Sequence, residues 1–457
     1  MESQTLETSE EWAEQQFGNC QLGDRRRTNR AVVMGAAMLR APGESLPRQM
    51  KSWAKTKAAY RFMDTEEIEY QDLIKPHWEQ TRAKMLQLPL VLLIQDLTEL
   101  DYTRFDAIGG LGPIGDGNGR GLLMSTVLGV QPNPRQVLGI VYQEPFLRKP
   151  NPLSPQRDRR PDRPKETDFW VRSVQAIGAC LEGQVWVHVG DRGSDLFPFL
   201  LACRENQCHF LIRAYENRKI LTPAGKTGHL IDFARKLPAQ EERCLHLKAG
   251  HGHPDRDAQV KMAFCPIQIA SYWLDRKGPS LEAWVIRVWE ENPPEGVEEP
   301  IDWYLLTSVP TETLQQAWER VKWYACRWLV EDFHQCLKTG CQVETHRLQS
   351  KDRLLRLLGL LSPIAVHLLS LRERARLEPD RLAQEVVEAD LLRLIAHLSH
   401  LETKAINLQT FWRLVAQQGG YLGRKRDGPP GWKSLWAGWL YLQDLLTGFH
   451  LAKNLGP

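Results

Sequence analysis

Three carboxylates stand where chemistry is easiest to arrange. Asp96 follows the uniformly apolar run 90–94, and Asp191 follows the short apolar run 185–189. Runs of this kind read as strands buried on both faces, so each acid is expected just past a strand end, where loops and ligands meet. Glu331 lies in 323–340, WYACRWLVEDFHQCLKTG. At about 100° per residue, Tyr324, Arg327, Glu331 and Lys338 share one side of that segment, and Leu329, Val330, Phe333 and Leu337 share the other with Cys326. Converging carboxylates hold two hard cations ~4 Å apart, one activating the attacking oxygen and one stabilising the departing oxygen. That is phosphodiester chemistry. A glycosidase with a carboxylate pair would leave the phenol, guanidinium and amine of the stripe unexplained. Taken singly, Asp96 is equally a turn residue, Asp191 a helix cap, and Glu331 an i,i+4 partner of Arg327 on a solvated face.

The elements that must position these groups follow from pattern. A helix is expected from Thr311 or Thr313, after Pro310, through to Gly340 as a left-handed cap with Lys338 in its last turn. Strands at 122–130 and 137–143 make an antiparallel meander with the first strand, the turn lying at 131–135. Helices are expected at 67–86, 167–181 and 197–204, with a strand at 209–213. From 214 to 300 alternation, turns and tryptophans indicate a β-rich insertion, before the strand 301–308 returns to the core. The glycine-rich link 108–121 lacks a closing Gly-Lys-Ser/Thr and runs into a strand, which argues against a nucleotide cradle. Helices at 351–371, 381–401 and 407–418 and a closing apolar helix complete the chain; Trp436, Trp439, Leu440 and Gln443 share a face that is either core or a homodimer seam. Asp195 reads as a cap or salt-bridge partner, Trp328 as core or support, and His334 as either core or site.

With 457 residues the chain exceeds one ordinary core. No uninterrupted apolar run has the ~18 residues of a membrane span, and the acidic start MESQTLETSEEW is unlike a leader, so a cytoplasmic protein is expected. Nine cysteines without a repeating pattern indicate reduced thiols, and His251 and His253 lack an accompanying CxxC. The net charge is only +3, but 21–61 holds ten Lys/Arg against Asp24 and Glu44, and 148–165 holds seven against Asp158 and Asp162. Such local charge attracts a polyanion. In the first stretch Arg26, Arg27, Arg30, Lys55 and Arg61 are interleaved with Trp53, Tyr60 and Phe62, a mixture suited to nucleic acid.

Tyr324-x2-Arg327-x3-Glu331-x6-Lys338 resembles the Y-R-E-K pattern of bacterial cut-and-paste DDE transposases of the insertion-sequence-four group. The likeness extends to LGDRRRT near the start, AYRF at 59–62, a DR-x-x-D box at Asp191, WYLLTS before the Y-R-E-K segment, and the tryptophan-rich closing helix. It implies an α/β chain with a ribonuclease-H-like core over 71–373, interrupted by the β-rich insertion at about 214–300. A helical DNA-binding region at 1–70 and a helical dimerisation region at 374–457 would flank it. It further implies that Asp96, Asp191 and Glu331 hold two Mg²⁺ or Mn²⁺ ions, and that Tyr324, Arg327 and Lys338 grip phosphates near a hairpinned transposon end. Trp303 stands where the family stacks a flipped base, and Arg213 matches a basic residue beside the DNA. Double-stranded DNA and a second copy of the chain are the implied partners. The chain departs from the family at Asp96-Leu97-Thr98, where Thr or Ser usually follows the acid, and at Gln335, where a basic residue is common. A DNA-binding derivative that no longer transposes and a plain nuclease of the same fold are the alternatives.

Overall fold

The computed structural model describes residues 8–149, 166–247, 256–270, 280–293, 297, 300–424, 427–428 and 430–455. Most of the basic segment 148–165, the His251/His253 pair, and parts of the acidic run 290–299 and of the turn 423–430 lie outside the described residues.

The chain opens with helices α1 (Ser9–Phe17), α2 (Arg25–Arg40), α3 (Leu46–Met50) and α4 (Trp53–Met63). Polar side chains start them: Thr8 and Glu11 form a reciprocal capping box, Asp24 accepts from the Arg26 amide, and Ser52 accepts from the Lys55 amide. Helices α1 and α2 approach so closely that a Cβ on Gly35 would sit 2.5 Å from the Phe17 ring. Helix α5 (Tyr70–Met85) then leads into the sheet.

Strands β1 (Leu90–Asp101), β2 (Gly112–Ile114), β3 (Gly119–Pro132) and β4 (Arg135–Phe146) form the expected meander, β3 antiparallel to both β1 and β4. After α6 (Asp168–Ile177), β5 (Val185–Gly190) lies parallel to β1; after α7 (Phe197–Glu205), β6 (His209–Arg213) lies parallel to β5. The insertion contributes β7 (Lys219–Leu221), β8 (Thr227–His229), α8 (Leu230–Arg235), β9 (Glu241–Leu247), β10 (Arg256–Ile269) and β11 (Leu281–Glu290). It joins the same sheet: β11 pairs along β12 (Asp302–Thr307), which pairs in turn with β6. The path is β2-β3-β1-β5-β6-β12-β11-β10-β7-β8, with β4 on β3 and β9 on β10.

Asp96 was expected past a strand end, yet β1 continues beyond it to Asp101 because β3 keeps pairing, Asp96 opposite Thr126. The parallel neighbour β5 reaches only Val189 opposite Ile94, so Asp96 still projects beyond the edge of β5. Along β1, Leu92 and Ile94 enter the large core with Leu329, Val330 and Phe333, whereas Val91 and Leu93 pack on the other face with Met85 and Trp186.

The expected single helix over 313–340 is broken in two: α9 (Leu314–Ala325) and α10 (Trp328–Gln335), followed by a wide turn at Cys336–Gly340. Thr313 caps α9 with Gln316. The break arises where the Cys326, Arg327, Leu329 and Val330 amides bond carbonyls three residues back, which tightens the turn. At the far end the Cys341 amide reaches the Cys336 carbonyl five residues back. Gly340 is not the left-handed residue; Gln342, at φ 48°, is. Glycine is required at 340 for closeness, since a Cβ there would lie 2.4 Å from the Trp436 ring nitrogen.

In helix α11 (Lys351–Leu377) the part Lys351–Glu373 is long and apolar enough to cross a membrane by composition, but 78% of its apolar window is buried inside the chain, making it the central core helix. The helix expected at 381–401 is shorter, α12 (Ala389–Leu398), because the preceding backbone pairs elsewhere: Ala383 donates to Ile406 and Leu408 donates to Arg381. Helices α13 (Leu408–Gln418) and α14 (Trp432–Leu455) close the chain. On α14, Trp436 is buried and Trp439 stacks on Trp412 at 5.6 Å, so this part of the tryptophan face is core.

Candidate active site

Strand alternation decides which side chains meet. Asp96 has the parity of Leu92 and Ile94, Asp191 that of Val187 and Val189, Arg213 that of Leu211, and Trp303 that of Leu305. All four therefore belong to the face covered by α9 and α10. Gln95, of opposite parity, confirms the assignment by bonding Ser173 and the Phe169 carbonyl on the other face.

Asp96 accepts from the Leu97 amide through Oδ1 at 2.8 Å and faces Arg327 Nη1 through Oδ2 at 3.6 Å. The other guanidinium nitrogen, Nη2, bonds Glu331 Oε1 at 2.5 Å. Arg327 thus bridges two of the three carboxylates, with only 11% of its side chain exposed. Asp191 caps the short turn Arg192–Ser194 by accepting from the Gly193 amide at 2.8 Å. Its charge reaches Asp96. Burial, then repulsion from Asp191 and Glu331, pushes the Asp96 carboxyl up to about 7, against the pull of the Leu97 amide and Arg327.

The aromatic part of the site adjoins this group. Trp303 meets Tyr324 edge-on at 5.8 Å, and the Arg213 guanidinium stands 5.9 Å from the Trp303 ring. Burial raises the Tyr324 phenol, Arg327 and Arg213 oppose that rise, and Asp191 adds to it, so the phenol belongs to the same electrostatic neighbourhood. Trp328, expected as core or support, is not core: it is 45% exposed and lies against the Arg327 guanidinium, 5.1 Å from its ring. Even in an unbroken helix Trp328 lies on the side of Glu331, away from Leu329, Val330 and Phe333, which accounts for its exposure. His334 is core, its Nε2 without a partner and its ring pushed down to about 3 by burial and by Lys338. Lys338 pairs with Glu344 at 3.7 Å, and Glu344 accepts from the Asp101 amide, so Lys338 is tied to the end of β1. Asp195 takes its expected structural role, accepting from the Tyr215 and Glu216 amides and pairing with Arg218.

The all-oxygen donor set suits a hard divalent cation, and a cation would favour the ionised form of Asp96 that burial and the Asp191 charge disfavour. Among the described residues, ligand atoms gathered within 4.8 Å of one another belong to Glu388, Asp390 and His450, on and beside α12 and α14, and not to the triad. Asp390 there already pairs with His450 at 3.0 Å and Arg393 at 3.2 Å.

The basic residues of the first helices lie at the surface in different states. Arg26 is chelated by its own cap Asp24, Arg27 pairs with Glu67, Arg30 is half-buried, and Lys55 and Arg61 are exposed beside an outward Trp53. Alternation and composition gave no sign of two supporting contacts. Arg372 pairs with Asp332 at 3.0 Å and fastens α10 to α11. Buried Arg356 donates to the Met63, Glu66 and Ile68 carbonyls and so fastens α11 to the end of α4.

Comparison with known families adds three matches in chain order. Residues 9–68 match the transposase DNA-binding family, residues 177–368 the transposase DDE domain, and residues 364–455 the transposase Tn5 dimerisation domain. The DDE match carries a ribonuclease-H-like fold, with which the mixed sheet agrees. Together the matches take in the first helices, the site and the closing helices, and the chain belongs to the DDE transposases, divalent-metal-dependent enzymes that bind DNA and dimerise.

Proposed function

We propose that this transposase frees its element by a hairpin route and that Asp96, Asp191 and Glu331 are its reacting-centre ligands, holding two Mg²⁺ or Mn²⁺ ions. Bound there, the ions would polarise the attacking and departing oxygens of a phosphodiester. The steps then balance as simple displacements. Water cuts one strand at the transposon end, and the freed 3′-hydroxyl attacks the opposite strand to close a hairpin. A second water reopens the hairpin, and the 3′-hydroxyl displaces a phosphodiester oxygen in target DNA. Tyr324, Arg327 and Lys338 grip phosphates through this sequence. Trp303 offers the ring on which an extruded base stacks, and Arg213 neutralises the adjoining backbone. Arg26, Arg27, Arg30, Lys55 and Arg61 contact the transposon end, and two chains pair two ends in one complex.

The observation that carries this reading is geometric: Arg327 reaches both Asp96, at 3.6 Å, and Glu331, at 2.5 Å, and burial followed by the nearby Asp191 charge raises the Asp96 carboxyl. Its test uses DNA carrying the element's end, incubated with Mg²⁺ or Mn²⁺ and resolved on a denaturing gel. Nicks followed by hairpins are expected, and Asp96→Ala, Asp191→Ala or Glu331→Ala should lower cleavage at least ~1000-fold while the end is still bound. Nicks without hairpins would mark a plain nuclease; binding without any cleavage would mark a derivative that no longer transposes.

A further inference from the structure

One cationic side chain lies between two of the three carboxylates proposed to hold the metal ions. Arg327 sits on the tightened turn between α9 and α10, its Nη2 2.5 Å from Glu331 and its Nη1 3.6 Å from Asp96. The site is poorly hydrated: 17% of the Asp96 side chain and 29% of Glu331 are exposed. Two carboxylates in such a setting repel strongly unless a positive charge lies between them. The guanidinium supplies that charge. The outward ring of Trp328 lies 5.1 Å from the same guanidinium and braces it by a cation–π contact.

We infer that Arg327 is an internal counter-cation that competes with divalent metal for Asp96 and Glu331 and gives way when a DNA phosphate draws it off. The inference rests on the metal-holding role proposed for the triad and adds to it a coupling between two ligands. A phosphate oxygen competes with the carboxylates for the guanidinium fork, which accepts either in bidentate fashion. As Arg327 turns to the phosphate, the acids lose their neutralising partner and their affinity for a divalent cation rises. By linkage, metal strengthens DNA binding by the same factor that DNA strengthens metal binding. The free enzyme would therefore stay poorly loaded with metal until an end is seated.

Mn²⁺ alone, titrated into the full-length protein without DNA and counted by the disappearance of its free EPR signal, tests this. Arg327→Gln should bind Mn²⁺ at least roughly ten-fold tighter than the wild type, because an opposing charge within ~4 Å has been removed. Arg327→Lys should fall between them. The Mn²⁺-induced rise in melting temperature should be larger for Arg327→Gln than for the wild type, which also checks that the variant is folded. Equal affinity across Arg, Lys and Gln, or weaker binding by a folded Arg327→Gln, would overturn the counter-cation. Asp96→Asn and Glu331→Gln, made in the Arg327→Gln background, should abolish the tight binding. Mn²⁺ binding indifferent to both would overturn the triad's metal role itself, and the counter-cation with it.

Discussion

Asp96 keeps its proton to about pH 7, far above an exposed aspartate near 3.8. The sign of its linkage follows. Between those values the folded chain binds more protons than the unfolded chain, so this residue costs stability as pH rises from about 4 to about 7. Without metal or DNA, Asp96→Asn should therefore gain about 1–3 kcal/mol over the wild type at pH 7 and little at pH 4, as read by denaturant unfolding at the two pH values. His77, His188 and His334 run the other way. Burial lowers each to about 3, so they stay neutral in the fold and cost stability as pH falls from about 6.5 toward 3. The wild type should accordingly lose stability on acidification through that range, and His188→Phe, which removes two unpartnered ring nitrogens, should flatten the loss. The three acids could be singled out in the sequence because two follow short buried runs and the third stands in the Y-R-E-K spacing, whereas Trp303 and Arg213 came only from the family resemblance. The place of Arg327 between Asp96 and Glu331 was only half legible: spacing gave Glu331, but the pairing with Asp96 depends on how a helix crosses a distant strand.

At the scale of elements, the broken helix shows where local pattern loses to packing. Every residue of 313–340 tolerates helix, and nothing in their order announces the tightening at Cys326–Arg327 or the wide turn after Gln335. Both answer to neighbours: Arg372 holds Asp332 from α11, and Trp436 of α14 presses on Gly340. Gly340→Ala should cost about 1–3 kcal/mol by overpacking, measured by chemical unfolding, and should disturb the Y-R-E-K helix more than its own propensity would. Arg356 is the other tie. Its replacement by Met strands the buried Met63 and Ile68 carbonyls and should lower stability by about 2–4 kcal/mol, loosening the first helices from α11 as seen by faster amide exchange at 60–70.

For the whole molecule, DNA affinity should depend steeply on salt, and the basic residues should not contribute equally. Lys55→Ala and Arg61→Ala should each reduce the slope of log K against log salt by about 0.9. Arg26→Ala should reduce it less, because Arg26 must first leave Asp24. Binding isotherms at several salt concentrations give the comparison. The strand-rich character of the insertion was readable from its alternation and turns; its continuity with the main sheet was not, since strand pairing between β6, β12 and β11 joins segments far apart in sequence.

That continuity makes the insertion a shield. Strand β12, which carries Trp303, is satisfied on one side by β6 and on the other by β11. A chain shortened by removing 214–300 would leave β12 as a bare outer edge, its amides and carbonyls open to any passing strand. Such a chain should self-associate through that edge, so the insertion guards solubility as well as lengthening the sheet.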